Sequence, residues 1–293
     1  MNPPVPLREL PRNPWQQVSP CDGACSADEP RAAARWLRAV RWTAFVAVLV
    51  LGLVALAIAY PCGATARRVV IRGGARAMLW SLGMRVEPVG NVPLRSLVVA
   101  NHQSLLDIVA IASIAPAAFV AKADIFDMRA VAVLMRAFGA IPLRRERLSD
   151  LPRTVEHVSG LLRSGRTVAL FPEGTTYCGF HRGEFRPAFF QAAIDARVDV
   201  VPVSLRYSMR LPGPARGARQ SAVAAYVGSD TEITTISRVI GARGVAVRVH
   251  ATEVIAAGEW AGAGRGALAA RAEASVFADA EFSEPGTRLP LAA

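Results

Sequence analysis

Aromatic side chains are scarce in this sequence, at 7% of its 293 residues. No stretch interleaves them with basic residues as base-stacking surfaces do, which sets nucleic acid aside as a partner. Cysteine is rarer, with four residues: Cys21, Cys25, Cys62 and Cys178. Cys21 and Cys25 are close, but no second ligand pair follows at zinc-site spacing. The reading therefore assigns no metal and takes the four as free thiols in a reducing compartment. Acidic residues are too few to balance the basic ones, 23 against 34, which leaves a net charge of +11. The excess is nearly all arginine and is spread along the chain. With 52% hydrophobic residues, such a chain suits an anionic partner, and a membrane surface fits best.

Charge of either sign is absent from residues 42–60, WTAFVAVLVLGLVALAIAY. A bilayer core takes roughly 20 apolar residues in a helix, so this run is just long enough to cross. A buried core helix is the other reading. A cleaved signal peptide does not fit, because the run begins well inside the chain. Arg31, Arg35, Arg38 and Arg41 precede it and Arg67, Arg68, Arg72 and Arg76 follow, so the flanks set no orientation. Balanced basic flanks also suit a helix that dips into one leaflet and returns. Residues 66–84 mix arginines with apolar residues like an interfacial segment, with Gly73 and Gly74 expected to break it.

Internal repeats and domain linkers are lacking between 88 and 280. Residues 1–30 read as a flexible tail, 31–86 as a membrane helix with an interfacial segment, and 87–285 as one domain. In that domain short apolar runs at 96–100, 117–121, 140–143, 167–171 and 200–205 alternate with helix candidates at 104–113, 127–138, 150–164 and 186–196. Later strands are expected at 222–228 and 244–255, and a closing helix at 265–280. The alternation predicts an α/β sandwich with a mostly buried mixed sheet.

Reactive groups in such folds gather beyond the carboxyl ends of strands. Asn101 and His102 stand there, Ser104 is a candidate N-cap, and Asp107 falls in the first turn of the next helix. The carboxylate can hold one ring nitrogen and leave the other as a general base. No protein nucleophile stands beside the pair, so a substrate hydroxyl would have to attack. A histidine with a nearby aspartate is also a common structural pair. Three further stretches add to it: GAIPLRRE at 139–146, FPEGTT at 171–176, and VVPVSL at 200–205, with a proline inside an apolar strand.

Together NHQSLLD, GAIPLRR, FPEGT and VPVSL resemble the four ordered blocks of the glycerolipid acyltransferase family, which includes 1-acyl-glycerol-3-phosphate acyltransferases. The likeness covers about residues 70–255. It implies an αβ sandwich behind an N-terminal membrane helical motif. It also implies acyl transfer from acyl-CoA or acyl-carrier protein to a lysophospholipid hydroxyl, with no bound cofactor. By position, His102 is similar to the family's general base and Asp107 to its orienting acid. Arg145 matches the arginine that holds the acceptor phosphate, with Arg144 doubling it. Glu173 and Gly174 match the third block, with Thr175 and Thr176 beside them, and Pro202 matches the fourth, on the acyl-donor side. Asn101 is expected among the substrate-binding residues. The acyl donors' usual location implies a membrane enzyme with a cytoplasmic active site.

One position departs from the pattern. Many phosphate-accepting members carry an arginine where this chain has Thr176, and Arg182 and Arg186 are the candidates to take its place. The third block with a second threonine also resembles acyltransferases that make ornithine lipids, so lyso-ornithine lipid stays open as the acceptor. His157 reads as a surface residue, His181 as a solvated loop residue or a headgroup contact, and His250 as structural. Cys178 has no evident partner base except His102. Two rival readings remain: a thioester hydrolase using the same pair, and a non-catalytic protein that binds anionic membranes.

Overall fold

The computed structural model describes residues 19–27, 29–30, 32–123, 139–144, 148–210, 218–260 and 262–278. Leu-, Val- and Ala-rich sequence forms α1 (Arg35–Ala59), and α2 (Ala64–Ser81) packs back along it. Pro61 lies in the turn between them, and Gly63 takes a positive φ of 94° there. The expected break at Gly73 and Gly74 does not occur: α2 runs through both. Single glycines weaken a helix by only about 1 kcal/mol relative to alanine, and packing against α1 offsets that.

α2 leads into β1 (Arg85–Val89), a strand the sequence reading did not place. It lies at the sheet edge, where Pro88 is tolerated. The remaining strands are β2 (Leu97–Ala100), β3 (Ala118–Lys122), β4 (Ile141–Leu143), β5 (Val168–Leu170), β6 (Val200–Arg210), β7 (Ala218–Gln220) and β8 (Val245–Ala251). The helices are α3 (Leu106–Ala112), α4 (Leu151–Arg163), α5 (Phe190–Ala196), α6 (Glu232–Gly241) and α7 (Gly264–Phe277). The helix expected at 127–138 lies outside the described residues, and α6 was not anticipated.

The sheet order is β1-β8-β6-β2-β5-β3-β4, with β7 beside the far end of β6. β6, β2, β5, β3 and β4 are mutually parallel, while β8 runs antiparallel to β6. Both faces are covered, as the near-continuous apolar strands require. Along β2, Val98 and Ala100 face one core with Leu79, Leu106, Ile111 and Val239, from α2, α3 and α6. Leu97 and Val99 face the other, with Val158, Leu162, Phe190 and Ala272, from α4, α5 and α7. Each fully buried side chain of this kind contributes roughly 1.5–3 kcal/mol. The mixed α/β sandwich read from the alternation is the fold observed.

The stretch 222–228 is not a strand but a buried loop. Arg238 explains why. Its Nε donates to Val223 O at 2.9 Å, and its terminal nitrogens reach Ala225 O and the Asp230 carboxylate. Side chains thus satisfy carbonyls that a sheet ladder would otherwise take. Residues 19–27, inside the stretch read as a tail, also have a defined place. They form a short turn at Gly23–Ser26 and bury Cys21.

Candidate active site

Three parallel central strands bring the site together at their carboxyl ends. β2 ends at Ala100 and hands the chain to Asn101 and His102; β5 ends beside it and delivers Phe171–Thr176. Ala100 pairs with Val203, so β6 continues past β2 and carries Leu205 and Tyr207 alongside the loop. Asn101 exploits that overhang: its Nδ2 donates to Leu205 O at 2.9 Å, and its Oδ1 accepts from Leu205 N at 2.7 Å. Gln103 Nε2 adds a bond to the same carbonyl at 2.7 Å. The loop after β2 is therefore clamped to a neighbouring strand.

His102 Nδ1 lies 2.9 Å from Asp107 Oδ2, and Asp107 is fully buried. The same oxygen accepts the backbone N–H of Gln103 at 2.6 Å and of Ser104 at 2.9 Å. Asp107 Oδ1 accepts the Tyr207 hydroxyl at 2.6 Å. An acceptor-only carboxylate so surrounded calls for a proton on Nδ1, and in the neutral ring that tautomer has its lone pair on Nε2. The ring lies flat on Phe171, with centroids 4.0 Å apart and 9° between planes. Ser104 is not the N-cap expected of it, since Leu105 holds that position, but its Oγ accepts from Leu106 N at 3.1 Å. Burial and the Asp107 charge push the Tyr207 phenol well above its ordinary range, so it stays a donor.

Glu173 is the second buried acid. Its Oε2 accepts the His102 N–H at 2.5 Å and its Oε1 accepts the Gly183 N–H at 2.8 Å. Burial pushes its carboxyl up to about 8, against the opposing pull of those two N–H groups. Gly174 takes a positive φ of 74° in the turn that aims Glu173 inward, a conformation that favours glycine. Thr175 is half-buried in that turn. Thr176 is also half-buried, and its hydroxyl donates to Tyr226 O. The threonine at the position where an arginine is common thus props up the buried 222–228 loop.

Other expected site residues stand apart. Arg144 leaves the end of β4 exposed, three strands from β2, roughly 14 Å at normal strand spacing. Arg145 lies outside the described residues. Pro202 sits in a central strand, level with Val99, and not at an edge. Its carbonyl accepts from Thr252 N at 3.0 Å, one step beyond the last β6–β8 pair, so its missing N–H falls where that ladder has ended. Arg186 is exposed, with its backbone N–H on Pro172 O at 3.0 Å. Arg182 lies over the Phe277 ring at 4.9 Å. His157 is exposed on α4 and His250 half-buried on β8. His181 is not a solvated loop residue: it is half-buried, with Nδ1 3.3 Å from Cys178 Sγ. Phe171 as a stacking floor and Tyr207 as a partner of Asp107 escaped the sequence reading. The only signal was alternation along β6, which puts residues 203, 205 and 207 on one face.

An apolar cavity of about 170 Å³ lies between the helical hairpin and α3. Its walls include Leu53 and Leu56 of α1, Gly74 and Met78 of α2, and Ile108 and Val109. The last two directly follow Asp107 in sequence.

A family model described as Acyltransferase matches residues 84–206. That span contains all four sequence blocks. The chain is 34% identical over 149 residues to a 1-acyl-sn-glycerol-3-phosphate acyltransferase of Neisseria meningitidis, covering 50% of this chain and 58% of that protein. It is 31% identical over 171 residues to a lyso-ornithine lipid O-acyltransferase of Rhizobium meliloti, covering 55% and 58%. It thus spans less than two thirds of either relative. The crystal structure of the 1-acyl-sn-glycerophosphate acyltransferase PlsC of Thermotoga maritima shares the fold. Its TM-score is 0.58 at 21% identity, over 82% of this chain and 92% of that one. Over residues 84–206, this chain is thus similar to the acyltransferase family.

Proposed function

We propose that this protein is a membrane-bound O-acyltransferase that moves a fatty acyl group from acyl-CoA or acyl-carrier protein to a lysophospholipid hydroxyl. The acceptor we favour is 1-acyl-glycerol-3-phosphate, giving phosphatidate. The observation that carries this reading is the His102–Asp107 pair, held at a strand end with Nδ1 2.9 Å from Oδ2. In this mechanism the acceptor hydroxyl gives its proton to His102 Nε2 as its oxygen attacks the thioester carbonyl. The tetrahedral intermediate collapses, the C–S bond breaks, and the imidazolium returns the proton to the leaving sulfur. Asp107 stabilises the imidazolium between these steps. General-base help of this kind is worth about 10²–10⁴ in rate.

Supporting observations extend the reading to the lipid. The apolar cavity beside Asp107 suits an acyl chain and would exclude water from the thioester. α1 is 25 residues long and apolar enough to cross a membrane. Val46, Val50, Leu51, Val54 and Ile58 all face outward, uncovered. Its base is tied to the domain, since Arg41 donates to Ile240 O at 2.8 Å and Ala242 O at 2.6 Å. α2 brings the chain back, yet carries Arg67, Arg68, Arg72 and Arg76, too many charges for a second span. The α1–α2 hairpin therefore dips into one leaflet, and the sheet domain works at its surface. Thr176 supports lyso-ornithine lipid as a second acceptor, because its hydroxyl supplies no charge for a phosphate.

The test is an acceptor panel. Detergent-solubilised protein receives labelled acyl-CoA with lysophosphatidate, lyso-ornithine lipid or lysophosphatidylcholine. We expect product on lysophosphatidate, abolished by His102→Ala. A folded His102→Ala protein with normal turnover overturns the mechanism. Release of free fatty acid without acylated lipid overturns transfer in favour of hydrolysis.

A further inference from the structure

Away from His102, three thiols and one imidazole converge. Cys21 precedes the turn at Gly23–Ser26 in the N-terminal segment and Cys25 lies within it; Cys178 and His181 lie in the loop that follows Glu173. Their ligand atoms all lie within 4.8 Å of one another. Cys178 Sγ is 3.3 Å and Cys21 Sγ 3.7 Å from His181 Nδ1. A tetrahedral zinc ion with bonds of about 2.3 Å to sulfur and 2.0–2.1 Å to nitrogen places those atoms about 3.5 Å apart. Cys21 and Cys178 are buried, and no disulfide joins them. The Cys178 N–H donates to Cys21 Sγ at 3.3 Å, a bond that supports a thiolate ligand. His181 Nε2 is buried without a protein partner among the described residues, so the ring makes its polar contacts on the sulfur side.

We propose that Cys21, Cys25, Cys178 and His181 bind one structural Zn²⁺. The three-sulfur, one-nitrogen set is soft and suits zinc, and four protein ligands close the tetrahedron with no position left for substrate. Cysteine spacing alone offers one pair, Cys21-x3-Cys25, and assigns no metal; the fold corrects that by setting a second short pair, Cys178-x2-His181, beside it. The fold brings them together across more than half the chain. The ion would staple residues 19–27 to the 177–183 loop. That loop matters to the site, since Tyr177 N donates to His102 O at 2.8 Å and Gly183 N to Glu173 Oε1 at 2.8 Å. The close approach of Asp22 to Gly228, where a Cβ would meet its Cα at 3.1 Å, shows how tightly the segment docks.

The inference does not depend on acyl transfer, and metal content reads it directly. Full-length protein, purified in detergent and washed with a weak chelator, is analysed by elemental mass spectrometry. The expected result is about one zinc per chain, falling at least about tenfold in Cys25→Ser and in His181→Ala. Cobalt-exchanged wild type should show the absorption of a tetrahedral thiolate site. Wild-type protein without metal overturns the proposal in two ways. Four reactive thiols would mean free cysteines, and two would mean a disulfide. Zinc retained in full by both variants would also overturn it.

Discussion

The end of β2 and the α1–α2 hairpin are built on opposite principles. Around His102 nearly every polar side chain is tied to the backbone of another element. Asn101 holds Leu205, Asp107 holds Gln103 and Ser104, and Glu173 holds His102 and Gly183. The hairpin has few such ties beyond its base, and Val46, Leu51 and Ile58 are uncovered. A rigid, fully bonded constellation suits chemistry that needs fixed geometry. A smooth apolar surface suits a fluid partner that imposes none. The comparison predicts that changes at the strand end act on rate or stability sharply, while changes in the hairpin act on chain preference gradually.

The sharpest break is Asp107→Asn. The amide keeps the size but removes the charge, and it must turn an N–H toward one of four donors. The imidazole then loses its fixed tautomer and its stabilising partner. Transfer should fall by about 10²–10⁴, with the pH profile of kcat/KM displaced. An unchanged profile in a folded variant would mean that Asp107 only caps α3.

Next in size is Arg238→Met. Arg238 and Asp230 are nearly buried, at 5% and 10% side-chain exposure, and 2.7 Å apart. The variant strands the Asp230 carboxylate and two loop carbonyls. Loss of one partner of a buried pair costs about 3–5 kcal/mol. The 222–228 loop, and with it the Thr176 prop, should loosen, lowering the urea midpoint and activity together. A midpoint within error of wild type would mean that water replaces the guanidinium.

These two tests also mark what the sequence could and could not convey. The meeting of His102, Asp107, Glu173 and Gly174 at a strand end was legible because each contact is either local or fixed by a motif there, while their roles stay with the proposed mechanism. So was the alternation of strands, since both faces of β2 are apolar. Tyr207, Phe171 and Arg238 were not, because their partners depend on strand register and on loops that meet only after folding. The 222–228 segment misled for the same reason: an apolar run reads as a strand unless the arginine that satisfies its carbonyls is known. Cys178 and His181 were weighed singly, and only the fold sets them beside Cys21 and Cys25.

Glu173 makes stability depend on pH. Its carboxyl sits near 8 in the folded chain, against 4.5 as the ordinary value. Between those values the folded protein holds a proton that the unfolded chain has released. Stability is therefore highest below about pH 4.5 for this group and falls as pH rises, by about 1.4 kcal/mol per unit, until about pH 8. Glu173→Gln should flatten that slope while lowering stability at acid pH, because its amide turns one N–H toward a backbone donor. Urea midpoints at several values between pH 5 and 8 measure it. The same slope in the variant would assign the proton to another group.

The gentlest test sharpens the hairpin side of the comparison. Gly52 of α1 and Gly74 of α2 both line the apolar cavity. A Cβ built at either meets nothing within 4 Å. A leucine at position 74 therefore starts from open space at its Cβ, and its branched end would narrow the cavity. Each methylene excluded from an apolar site is worth about 0.8 kcal/mol, or roughly fourfold in selectivity. Gly74→Leu should shift acyl preference toward shorter chains by that factor per carbon, with total turnover on the best donor little changed. Competition between acyl-CoA donors of graded length reads the shift, and the His102 site serves as its internal control. An unaltered length profile would place the acyl chain elsewhere and leave this cavity as a contact between the hairpin and the domain.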